Sequence, residues 1–126
     1  MAVVRTINGD VSPDTLGVVN AHDHLIRVGA GEVYIDSDHL LDDVDKAAQE
    51  ATYFVEASKN WAAGGTIIDM CPASSGRGVL KTLQVVEKVP GLQVVQATGF
   101  HQQKVYLESR QSWVNQYTDT QIADLL

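Results

Sequence analysis

Three short apolar runs, "VVNAH" from Val18, "TIIDM" from Thr66 and "LQVVQAT" from Leu92, alternate with segments whose apolar residues recur every three or four positions. In the first such segment Leu41, Val44, Ala48, Ala51, Val55, Ser58 and Ala62 share one helix face. Asp38 fits as its N-cap and Gly64-Gly65 as its stop, so the pattern predicts a helix over 39–63. In the second, Leu80, Leu83 and Val86 predict a helix over 77–88, ended by Pro90-Gly91. Strands are expected near 18–23, 66–70 and 93–98. An order of this kind builds a parallel sheet with right-handed crossovers. "VVRTI", closed by Asn8-Gly9-Asp10, predicts a hairpin ahead of the sheet. "RVGAGEVYIDSD" reads as a polar loop, and Thr118 with Gln121 fits a capping box for a helix beginning at Asp119. The sequence stops inside that helix, which reads as a chain cut short.

Bulk properties narrow the class. With 126 residues, 44% hydrophobic and 20% charged, the chain is an ordinary globular unit long enough to bury a core. Its net charge of −7, concentrated in "DSDHLLDDVDKAAQE", argues against nucleic acid and anionic membrane surfaces, both of which need clustered Lys and Arg. The acidic run is read as a solvated helix face. One cysteine, Cys71, excludes an intrachain disulfide and fits a cytoplasmic location. Neither a signal peptide nor a bilayer-spanning run is visible.

Chemistry concentrates at "VVNAHDHLI". Residues i and i+2 of a strand point to one face, so His22 and His24 present both imidazoles together while Asp23 turns away. Spacing alone favours two ordinary strand-end histidines, since His-x-His is unspecific. Their place at the carboxyl end of a buried strand, where parallel α/β sheets and barrels bind ligands, raises the metal reading beside it. Asp69 and His101 follow the next two strands and would open onto the same rim. Asp69 is better read as a loop-fixing acceptor than as a ligand. For His101 a loop position and a pocket role weigh equally, and His39 reads as a surface residue. "SSGRG" is a weak phosphate-loop candidate, lacking the Lys-Ser/Thr ending. Cys71 has no basic neighbour in sequence and reads as buried and inert.

Taken together, "VRTINGDVSPDTLGVVNAHDHLI", "AGGTIIDMCPASSGRGVL" and "LQVVQATGFH" resemble, in order and spacing, the N-terminal part of the phosphotriesterase-related proteins of the amidohydrolase superfamily. The resemblance runs from Val3 to the end of the chain. It implies a (β/α)8 barrel, typically about 250 residues, of which these 126 are the hairpin and the first three strand–helix units of a single domain. The remaining units lie outside this sequence. It further implies a two-metal centre, usually zinc, with His22 and His24 as ligands of the more buried ion. The family's other ligands, a lysine, two histidines and an aspartate, come from strands four to eight, so no catalytic residue is expected within this chain. Ser75 and His101 fall on stretches that line the substrate pocket in relatives. The middle residue of His-x-His is Asp23, where many relatives have Glu. The implied activity is hydrolysis of a lactone, ester or phosphotriester in the complete barrel, with a lactone preferred. The alternative is a truncated, non-catalytic half-barrel that binds a partner or oligomerises; the implied partners are then a second copy or a complementing C-terminal segment.

Overall fold

The computed structural model describes residues 2–72, 75–101, 104 and 116–125. Its elements are the strands β1 (Val4–Thr6), β2 (Gly9–Val11), β3 (Val18–Asp23), β4 (Gly65–Asp69) and β5 (Leu92–Gln96). The helices are α1 (Gly31–Ile35), α2 (Val44–Ser58), α3 (Val79–Lys88) and α4 (Asp119–Leu125). β1 and β2 form the expected antiparallel hairpin, while β3, β4 and β5 form one parallel sheet in chain order. This is the arrangement expected of the first strand–helix units of a (β/α)8 barrel, preceded by a hairpin.

α2 and α3 cover one face of the sheet. Ala48, Ala51 and Val55 of α2 pack with Val85 and Val86 of α3 against Ile67, Leu92 and Val94. Ile26, just past β3, is fully buried in the same cluster. Truncating a buried Ile leaves a cavity that its neighbours only partly fill. Ile26→Ala is therefore expected to cost about 2–5 kcal/mol, seen as a lower urea midpoint at constant slope.

The structure corrects several sequence expectations. α2 begins at Val44, not at residue 39, because the Asp43 carboxylate accepts the N–H groups of Asp45 and Lys46. Leu41 is unavailable to the helix: its backbone exchanges two hydrogen bonds with Arg27, at 2.9 and 3.1 Å. The preceding Ser37–His39 is a separate 3-10 turn capped by Asp36. α3 buries Thr82, Val85 and Val86, so Leu80, assigned to its core face, stands 76% exposed instead. The polar loop after β3 contains α1, whose five residues are too few to show a helical period. The capping box of α4 is present: Thr118 N–H donates to Gln121 Oε1 at 2.9 Å, and Gln121 N–H to Thr118 Oγ1 at 3.3 Å. Among the described residues no helix is long and apolar enough to cross a membrane.

Candidate metal centre and substrate pocket

Register explains how β3 presents its histidines. Paired residues in a sheet share a face. Asn20 pairs with Ile67, whose side chain lies in the helix-side core, and Asp23 pairs with Asp69. Between Asn20 and Asp23 the register shifts. This irregularity brings two residues three apart onto the same side, where Asn20 Nδ2 donates to Asp23 Oδ2 at 2.7 Å. The rings of His22 and His24 stand edge to face with centroids 5.5 Å apart, and His24 also borders, with Asp23, the cleft on the helix side. Re-aiming a side chain is a common use of such irregularities.

The two imidazoles border a cavity of about 240 Å³ at the carboxyl ends of the three parallel strands. Ser75, His101, Glu32 and Phe100 line it as well. All four site residues singled out in the sequence, His22, His24, Ser75 and His101, thus meet in one place. Glu32 did not stand out in the sequence, yet it is buried at the centre of this wall. Its Oε1 accepts from Ser75 Oγ at 3.0 Å and lies 2.7 Å from His101 Nδ1, while Arg27 Nη1 stands 3.3 Å from Oε2. A larger cleft of about 690 Å³ opens on the helix side, between Leu40–Asp43 and α2.

Whether the histidines suit a metal is tested by their own chemistry. His24 Nδ1 is buried without a hydrogen-bond partner, and buried polar atoms are rarely left so. Burial, followed by the nearby Arg27 guanidinium, pushes the His24 pKa down, favouring the neutral ring that coordinates metal. The donor set fits.

A second grouping, His24, Asp69 and Cys71, has ligand atoms all within 4.8 Å of one another. Asp69 does not open onto the rim as the sequence suggested; it is fully buried and its oxygens are occupied. Oδ1 accepts the Cys71 N–H at 3.1 Å and Oδ2 accepts from Gln96 Nε2 at 3.2 Å, so it fixes the β4 loop. Cys71 is buried, and desolvation holds its thiol above the usual pKa, as expected of an inert cysteine. His39 lies on the surface.

Burial also raises the Asp69 pKa. A carboxyl raised on folding contributes stability that is present below its unfolded pKa and lost as pH rises through the folded one. Against Asp69→Asn, which cannot ionise, the native protein should therefore gain relative stability between pH 7 and pH 4. The difference in urea midpoints at the two pH values measures this; an unchanged difference refutes it.

Three parallel strands whose carboxyl ends converge on a histidine-lined cavity define the opening portion of a β/α-barrel site. The chain matches the phosphotriesterase family over residues 2–126, and it belongs to that family. It is 38% identical over 112 residues to a phospho-furanose lactonase of Mycoplasmopsis synoviae, a match covering 87% of this chain and 30% of that protein. The crystal structure of an amidohydrolase from Mycoplasma synoviae superposes with a TM-score of 0.73 at 38% identity, covering 82% of this chain and 29% of that one. A lactonase from Listeria monocytogenes gives a TM-score of 0.73 at 31% identity, covering 83% and 30%. The chain therefore spans about 30% of the length of these relatives.

Proposed function

We propose that the protein carrying this chain is a metal-dependent hydrolase of ester, lactone or phosphotriester bonds, with a lactone as the preferred substrate. The observation that carries the reading is the convergence of His22 and His24 with Ser75 and His101 on one cavity at the strand ends. The likeness to proteins named as lactonases supports the choice of substrate class.

His22 and His24 would hold one ion of a two-metal centre, zinc by the usual preference of imidazole donors and of the family. Bound there, the metal pair would supply Lewis-acid polarisation of the substrate oxygen and a water acidic enough to attack at neutral pH. The chain's own residues have two other tasks. β3, paired with β4 through Asn20 and again at Asp23, carries His22 and sets His24 just past its end, and rigid elements place ligands better than loops do. Ser75, His101 and Phe100 form the wall that receives the substrate and narrows the space left for water. Further ligands and the general base would come from later strands of the barrel, which this segment must adjoin to form a working site. The buried free thiol of Cys71 supports a cytoplasmic, reducing location.

The test is metal content and lactone hydrolysis by the full-length protein, each measured before and after chelation. Turnover that follows metal content supports the reading. Turnover indifferent to complete metal removal, or none on lactones, esters and phosphotriesters with metal bound, sinks it.

A further inference from the structure

Among the described residues Glu32 is the one carboxylate in the pocket wall, and its surroundings differ from those of a surface acid. It is 8% exposed, and acids are rarely buried unless paired. Its partners come from three separate loops: Arg27 from the loop after β3, Ser75 from the loop after β4, and His101 from beyond β5. A buried ion pair is a poor source of stability compared with apolar packing of the same volume. What it supplies instead is direction, because a carboxylate accepts only along defined lines and holds its donors there.

We propose that Glu32 is the positioning residue of this pocket, clamping the three loops together and setting the ring of His101. With Nδ1 held by Glu32, the ring of His101 is fixed in the wall that faces the substrate. A carboxylate that selects a histidine tautomer acts in the same way in many sites. The inference rests on the hydrolase reading above for its substrate, while the Glu32–His101 contact stands on geometry alone.

The experiment uses the metal-loaded, full-length protein and its Glu32→Ala, Glu32→Gln, His101→Ala and Glu32→Ala/His101→Ala variants. Glu32→Ala and His101→Ala should each raise KM for a lactone by about tenfold with kcat changed by less than about threefold, the mark of lost substrate binding. The double variant should be no worse than the more affected single one, since both changes break one interaction. Glu32→Gln, whose amide oxygen still accepts Nδ1–H, should recover most of the loss. Nitrogen-15 NMR should show the His101 Nδ1–H tautomer in the native protein and a shift away from it in Glu32→Ala. Should Glu32→Ala fail to fold for want of a partner for Arg27, Arg27→Leu/Glu32→Leu removes both charges and carries the same expectations. An unchanged tautomer, or KM effects that multiply in the double variant, overturns the proposal. If the native protein turns over no lactone or ester, the hydrolase reading fails by itself, and the tautomer measurement alone decides the role of Glu32.

Discussion

Replacing His22 by alanine in the full-length protein is expected to lower kcat/KM for lactone hydrolysis by at least about 100-fold, with a matching loss of bound metal. Disturbing only the outer partners of a metal ligand costs about 10–100-fold in affinity or activity, so removing a ligand should exceed that range. His22 is not among the residues of the core between the sheet and helices α2 and α3, so the packing of this portion should survive the change. The same reasoning predicts that the 126-residue chain, purified alone, has no measurable lactonase, esterase or phosphotriesterase activity even with added zinc. Two imidazoles and water can hold an ion loosely, but a bridged pair needs anchors on both sides. A three-stranded open sheet also leaves the cavity wet, and water weakens every interaction that would stabilise developing charge. Robust turnover by the isolated chain, with longer species excluded by intact mass, would show that the chemistry has been misassigned. Retention of both metal and activity by His22→Ala would remove the histidine pair from the site.

The strand–helix order was readable because the periods of strand and helix differ, and because Gly64-Gly65 and Pro90-Gly91 punctuate the change between them. What local sequence could not settle was any choice decided by a distant partner. Asp36, Asp38 and Asp43 are all chemically able to cap, and Asp43 starts α2 because Leu41 is engaged by Arg27 across the structure. α3 carries apolar residues on more than one face. The Thr82–Val85–Val86 side faces the core, where Gln96 also bonds Thr82 Oγ1 at 3.3 Å, and Leu80 is left out.

The candidate site divides along the same line. Strand alternation suggested the pairing of His22 with His24, although His24 stands one residue past β3 and the register shifts between Asn20 and Asp23. Ser75 was suggested only by family resemblance and His101 by its place after the third strand as well; both line the cavity. Glu32 left no signal: within "GAGEVYID" it resembles any loop acid. Only the folded chain reveals that Ser75, 43 positions away, and His101 share its oxygen.

The amino-terminal edge of the sheet should be as intolerant of added atoms as the opposite edge is of lost ligands. Gly17, Gly64 and Gly91 each stand just before a parallel strand, or one residue ahead of it, and their backbones stack directly on one another. A methyl group on Gly17 would come closer than 3.0 Å to the carbonyl oxygen of Gly64, and one on Gly64 would lie 2.5 Å from the carbonyl oxygen of Gly91. Neither oxygen can retreat freely, because Val18 N–H donates to Gly64 O at 3.3 Å and Gly65 N–H donates to Gly91 O at 3.1 Å. Gly17 also holds φ +67°, a left-handed conformation that costs an L-residue about 1–2 kcal/mol. Adding overpacking of about 1–3 kcal/mol, Gly17→Ala should destabilise by roughly 3 kcal/mol or more, a large share of the 5–15 kcal/mol typical of a folded domain. Gly64→Ala should lose about 1–3 kcal/mol through the clash alone. Gly9→Ala is the control, since its φ of +116° is strained but no atom lies within 4 Å of the added carbon. Urea midpoints at constant slope separate the cases. A Gly17→Ala loss no larger than that of Gly9→Ala would mean that the strand entries have room to spread, and that backbone stacking does not set the spacing of β3, β4 and β5.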